Sequence, residues 1–85
     1  MGNEIKKSDF IQSLEKGLKV IAAFDANRPR LTLTEVAKMV DLTRANARRV
    51  LLTLEYLGYM HSDGKYFSLS PKILGLGYAY LSTLS

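Results

Sequence analysis

Cysteine is absent from the 85 residues, and histidine occurs once, at position 61. A chain without cysteine has no disulfide framework, no thiolate zinc site and no thiol nucleophile, which is compatible with an intracellular origin. Long apolar runs are missing too. The longest, residues 73–80, is broken by Gly75 and Gly77 and falls far short of the ~18 residues that span a bilayer. Lys6 and Lys7 have no apolar segment behind them, so the N-terminus does not read as a signal peptide. Lys6 also stands where a myristoylation signal requires Ser or Thr. The expectation is a soluble protein with no membrane partner. A chain this short holds apolar surface for a single core, which excludes a two-domain Rossmann or barrel enzyme.

Catalytic groups are equally scarce. His61, Ser62 and Asp63 are consecutive on a strand leading into a turn. Neighbouring strand side chains point to opposite faces, so the three do not form a relay. No carboxylate pair shares a helical face in a plausible pocket, and Gly75-Leu76-Gly77 lies in an apolar helix without a phosphate-loop pattern. The sequence predicts no enzyme activity, no metal and no cofactor.

What the chain does have is a globular composition, 47% hydrophobic and 24% charged, with 12 Lys+Arg against 8 Asp+Glu. A net charge of +4 favours an anionic partner such as nucleic acid or an acidic surface. There is no internal repeat and no low-complexity segment. Residues 1–9 lack an apolar period and read as a flexible arm. From Phe10, the residues Ile11, Leu14, Leu18, Ile21 and Phe24 recur at helical steps. Asp9 or Ser13 is the expected cap, and Asn27-Arg28-Pro29 ends the segment. Gly17 sits inside this helix, where it lets another helix approach closely.

Leu31-Thr32-Leu33 alternates as a very short strand. Thr34 is then expected to cap a helix over residues 35–40, with Val36, Ala37 and Val40 inward. After the turn at Asp41-Leu42, Thr43 caps a helix over residues 44–57, closed by Gly58. Its core face is Ala47, Val50, Leu51, Leu54 and Leu57. Beyond Gly58 the period becomes two. Residues 59–62 and 65–69 flank Asp63-Gly64, a strong hairpin signal. Ser70 and Pro71 are the expected N-cap and first residue of a last helix. The predicted fold is mainly α with a small β-hairpin, a winged helix-turn-helix. Its boundaries are a flexible N-terminal arm over 1–9, the winged helix-turn-helix over 10–70 and a linker helix over 71–85.

Within that frame the informative stretch is Thr43-Arg44-Ala45-Asn46-Ala47-Arg48-Arg49. On a helical wheel Ala45, Arg48, Arg49 and Leu52 lie opposite the apolar face, flanked by Arg44 and Asn46. The N-terminal residues of a recognition helix reach base edges in the major groove. Arg can bond guanine through O6 and N7, and Asn can bond adenine through N6 and N7. Ala45 permits close approach, and the helix start at Thr43 and Arg44 can hold a phosphate. The alternative is a solvated basic face. At the wing tip Lys65 is the good phosphate contact, while Arg28 and Arg30 either touch the DNA backbone or remain solvated loop residues. Lys6 and Lys7 fit a solvated tail. In the last helix Ile73, Leu76, Tyr80 and Leu84 form one apolar stripe, and Leu74, Tyr78 and Leu81 form another beside it. So wide a face points to a second partner, through dimerisation or a following domain, against ordinary packing on the first helix.

Leu33-Thr34-Glu35-Val36-Ala37, Leu42-Thr43-Arg44, Leu54-Glu55-Tyr56-Leu57-Gly58-Tyr59 and Ser70-Pro71-Lys72-Ile73-Leu74 resemble the N-terminal domain of IclR-type transcriptional regulators. Asn27-Arg28-Pro29-Arg30-Leu31, Ala47-Arg48-Arg49 and Asp63-Gly64-Lys65-Tyr66-Phe67 are most similar to the subgroup that controls aromatic-acid catabolism through the β-ketoadipate pathway. The resemblance implies a bacterial cytoplasmic protein that binds palindromic or repeated double-stranded operator sites as a dimer or tetramer. It also implies a small-molecule effector bound only through a further domain after the last helix. It assigns dimer contacts to the first and last helices, consistent with Gly17 and with Ile73, Leu76, Tyr80 and Leu84. The sequence departs at Leu52, where many members carry a polar or basic residue. A rival reading keeps the fold as a protein-interaction module without duplex binding.

Overall fold

Helix boundaries follow the capping chemistry of a few side chains. In the computed structural model, which describes residues 4–84, the first helix α1 (Gln12–Ala22) starts after Ile11 with no side-chain cap. Neither Asp9 nor Ser13 caps it; Asp9 instead closes a turn through its N–H to the Lys6 carbonyl at 2.9 Å. Residues 1–3 of the expected arm, and Ser85 of the expected last helix, lie outside the described residues.

The strand β1 (Leu31–Thr32) runs directly into α2 (Leu33–Met39). Thr32, not Thr34, is the N-cap. Its Oγ1 accepts the Glu35 N–H at 3.2 Å, and its own N–H donates to Glu35 Oε1 at 2.8 Å. This is a capping box, in which both orphan donors are satisfied reciprocally. At the other end Asp41 takes a left-handed φ of 56°, and Leu42 N–H donates to the Ala37 carbonyl at 2.9 Å, the Schellman arrangement. Helix α3 (Arg44–Tyr56) is capped as expected, with Thr43 Oγ1 accepting the Asn46 N–H at 3.0 Å. It ends in a second Schellman motif: Gly58 has φ 91°, and Tyr59 N–H donates to the Leu54 carbonyl at 2.8 Å. Here glycine is required, because a side chain at that φ is strained.

The wing is β2 (Met60–Ser62) and β3 (Tyr66–Leu69), joined through Asp63, Gly64 and Lys65. The expected hairpin is extended by β1 into a three-stranded antiparallel sheet of order β1-β3-β2. Leu31 pairs with Phe67 and Thr32 with Tyr66, while Met60 pairs with Leu69. Residue alternation therefore puts Leu31, Met60, Phe67 and Leu69 on the inner face, with Tyr66 and Ser68 on the other.

The core draws Val20, Ala23 and Phe24 from the end of α1 and just beyond it, Leu31 from β1, Val36 and Ala37 from α2, Ala47 and Leu51 from α3, and Met60 from β2. One expectation about it needs correction. The α1 stripe divides: Phe24 is buried and Ile21 half-buried, while Ile11, Leu14 and Leu18 are exposed, because only the last turn of α1 and the residues after it enter the core. Leu57 is about half exposed, since it is the C-cap residue where the chain already leaves the helical path.

The last helix α4 (Ile73–Leu81) starts later and ends earlier than expected. Ser70 is not its N-cap; Pro71 and Lys72 form a turn before it, with Ile73 N–H donating to the Ser70 carbonyl at 3.1 Å. Ser70 is instead buried against the end of α3, its hydroxyl donating to the Gly58 carbonyl and accepting the Lys72 N–H. Lys72 Nζ donates to the Leu57 carbonyl at 2.9 Å and lies 4.9 Å from the Tyr59 ring centre. The cation thus completes the negative end of the α3 dipole. No residue of α4 is buried, so it does not pack into the core, and Leu84 lies beyond its end.

Candidate nucleic-acid interface

The geometry of α3 separates its faces as the wheel predicts. Ala47 and Leu51 are fully buried, and Val50 and Leu54 pack partly against them. Arg44, Ala45, Arg48 and Arg49 are exposed across the first two turns. Among the described residues no carboxylate pairs with any of these three arginines. Asn46 is half-buried; its backbone is tied to Thr43, which stands exposed at the helix start. The face continues toward the C-terminus with Leu52 and with Tyr56, which is 90% exposed.

One flank of this face meets α1. Asn46, Arg49 and Thr53 line a groove of about 370 Å³ together with Ser13, Lys16 and Gly17. Apart from its chain neighbours and its own helix backbone, Gly17 has no described atom within 4 Å of where a Cβ would stand. Among the described residues none makes a close approach to Gly17. Lys16 was not a site residue by sequence reasoning. The available signal was its placement next to Gly17 on the polar side of α1, but only the α1–α3 packing brings it into one groove with Arg49.

The remaining expected contacts are separate from α3 along the chain. Arg28 is exposed in a turn built by Asp25, whose Oδ1 accepts the N–H groups of Asn27 and Arg28 at 2.9 Å each. Arg30 stands exposed before β1, with its guanidinium 4.4 Å from the centre of the Tyr66 ring and 3.8 Å from Asp63 Oδ2. Lys65 Nζ lies 5.3 Å from the same ring centre. The N–H groups of Tyr66 and Lys65, with the Arg30 charge behind them, hold the Asp63 carboxyl below the ordinary aspartate range. Tyr66 and Asp63 were also not anticipated as partners of Arg30. They are more than thirty residues away in sequence, and strand pairing brings them together.

The expected dimer residues fall on two elements. In α4, Leu76 and Tyr80 are exposed and Ile73 is half-buried, while Leu84 is exposed past the helix end. On α1, Ile11, Leu14 and Leu18 form a second uncovered apolar stripe, continued by Phe10 at 40% exposure. No described helix is long and apolar enough to cross a membrane. Among the described residues no cluster of His, Cys, Asp or Glu is arranged to hold a metal ion.

Comparison with known proteins places this geometry in a family. The IclR helix-turn-helix domain matches residues 13–64, which run from α1 through the wing turn. The Pca operon regulatory protein of Acinetobacter baylyi is 49% identical over 77 residues, covering 91% of this chain and 28% of that protein. The p-hydroxybenzoate hydroxylase transcriptional activator of the same organism is 42% identical over 80 residues, covering 94% of this chain and 30% of that protein. The chain therefore spans less than a third of the length of either relative. The crystal structure of an IclR family transcriptional regulator from Brucella abortus has a TM-score of 0.89 at 34% identity, covering 99% of this chain and 33% of that one. Matched over more than half its length, and built on the same winged helix-turn-helix, the chain belongs to the IclR family through its helix-turn-helix domain.

Proposed function

We propose that this chain binds double-stranded operator DNA sequence-specifically through α3, as the reading domain of a bacterial regulator of aromatic-compound catabolism. The observation that carries the proposal is the row of unpaired, exposed arginines on the capped first turns of α3. A solvated basic face would need no such concentration at the helix start, where major-groove readers make base contacts. Similarity to regulators named for the Pca operon and for p-hydroxybenzoate hydroxylase supports the assignment to aromatic catabolism.

In this reading Arg49, near the centre of the exposed face, reads a base with Arg48 beside it. Arg44 and the Thr43 end of the helix hold phosphate, and Ala45 and Asn46 lie against the groove. Arg28, Arg30 and Lys65 add backbone contacts. The chain works as a homodimer through α1 and α4, in the cytoplasm, without catalysis, cofactor or metal. A small-molecule effector acts through a domain outside these residues. Operator half-sites are then centred about 10 base pairs apart or a multiple of that.

The test is Arg49→Ala and Arg44→Ala against a duplex obtained by binding selection and its single-base variants. Loss of a base contact costs about 1–3 kcal/mol and relaxes preference at one position, whereas loss of a phosphate contact weakens all sequences alike and lowers the salt slope by about 1. Retained discrimination at every position by Arg49→Ala overturns its role. If both variants bind as the parent does, α3 is not the reader. If the parent binds no duplex at any salt, the domain is an interaction module.

A further inference from the structure

The wing divides the two oxygens of one carboxylate between two tasks. Asp63 Oδ1 accepts the N–H groups of Lys65 at 3.0 Å and Tyr66 at 2.8 Å, which builds the turn. Asp63 Oδ2 takes no part in the turn and faces Arg30 Nη1 at 3.8 Å. The Arg30 guanidinium is held over the Tyr66 ring, 4.4 Å from its centre, and Lys65 Nζ approaches the same ring. Both cations therefore lie against one aromatic ring, and the nearer of them, Arg30, also faces the free carboxylate oxygen.

We propose that Arg30, Lys65 and Tyr66 form a binding site for a phosphate of the DNA backbone, and that Asp63 Oδ2 holds the place of that phosphate in the free protein. The proposal rests on the duplex-binding reading above. Stacking on an aromatic ring orients a guanidinium while leaving its N–H edge free to fork onto an anion. Tyr66 is thus a positioning residue for Arg30. The Arg30–Asp63 pair has the character of an exchangeable contact. Its side chains are 60% and 58% exposed, and it is a single long approach where a bidentate fork is available. Exposed pairs of this kind are weak, so a phosphodiester offering two oxygens can displace the carboxylate. The turn itself does not need the negative charge, because an Asn side-chain oxygen accepts the same two N–H groups. Charge and turn are therefore separable at position 63.

That separation defines the experiment. Binding of a fluorescent random-sequence duplex is measured across a salt series for the parent, Asp63→Asn, Arg30→Ala and the double variant. Asp63→Asn is expected to bind about two- to fivefold more tightly, the scale of a released exposed ion pair, while Arg30→Ala should bind more weakly with a log–log salt slope shallower by about 0.9, one phosphate contact. In the Arg30→Ala background the Asp63→Asn gain should vanish. Tyr66→Leu should weaken binding as Arg30→Ala does although it removes no charge. A gain that persists without Arg30 reports net charge alone and overturns the wing site, as does the absence of any gain or an unaffected Tyr66→Leu. If the parent binds duplex and these arms fail, only the wing site is lost. If the parent binds no duplex, the reading beneath it fails as well.

Discussion

Replacing Thr43 by alanine removes one hydrogen bond, from the Asn46 N–H to Oγ1 at 3.0 Å, at the start of the helix that presents Arg44, Arg48 and Arg49. Loss of a threonine N-cap costs about 1 kcal/mol. A domain of this size has a total stability of about 4–13 kcal/mol, so the variant stays folded while its unfolding constant rises about fivefold. The corresponding fall in Tm is about 4–8 °C. Thr43→Ser keeps the accepting oxygen and should lie close to the parent. Thr32→Ala is the internal comparison. It removes the Oγ1 that accepts the Glu35 N–H but keeps the backbone N–H that donates to Glu35 Oε1, so it should cost a similar amount without touching the arginine-bearing helix. Urea unfolding followed by circular dichroism gives the stabilities, and binding of the selected duplex gives the functional readout. Thr43→Ala should lose affinity beyond what its unfolded fraction explains, because Arg44 and Asn46 then sit on a frayed turn. A Thr43→Ala variant within about 0.3 kcal/mol of the parent, or one no better rescued by Ser, would refute the capping argument.

Two further outcomes follow from the geometry. Removing residues 76–85 takes away most of an α4 that buries nothing in this chain, so the monomer core should keep its melting profile while self-association weakens; unchanged sedimentation would count against α4 as a dimer element. Asp63 has a folded pKa below its unfolded value, so the extra stability its ionised carboxylate gains from the Tyr66 and Lys65 N–H groups and the Arg30 charge is complete above pH ~4 and is lost as pH falls through the folded value. The Lys65 and Tyr66 amide resonances should report that loss, and Asp63→Asn should abolish it; a parent with no acid dependence at those amides would contradict the turn assignment.

What was legible in the sequence was local chemistry. Thr43, Gly58 and the Asp63-Gly64 turn act within a few residues of themselves, and each sits where its side chain or its freedom of φ requires. Thr32 was legible in principle: Thr32-Leu33-Thr34-Glu35 has the spacing of a capping box. Thr34 competes with it as a cap candidate because it adjoins the acidic residue. The α1 stripe shows a different limit. Periodicity identifies an apolar face but not what covers it, and Ile11, Leu14 and Leu18 are left uncovered while Val20, Ala23 and Phe24 enter the core. Ser70 failed as a cap because a distant acceptor, the Gly58 carbonyl, takes its hydroxyl. In the site, the arginine row of α3 was readable from one helical turn to the next. The Arg30–Tyr66–Asp63 cluster and the placement of Lys16 in one groove with Arg49 depend on strand pairing and helix packing, which no local pattern encodes.

Thr32 belongs to two elements at once: it pairs with Tyr66 as the last residue of β1 and caps α2 as the residue before its first turn. No residue intervenes between sheet and helix, so the junction has no slack. In mechanical terms it is a welded joint. A one-residue insertion there breaks the capping box and the strand register together, since a slip of one reverses which side chains face inward. The exposed turn at residues 26–27 can absorb the same change in length. Variation in chain length among functional versions of this domain should therefore accumulate before β1 and at the wing tip, and spare the step from Leu31 to Leu33.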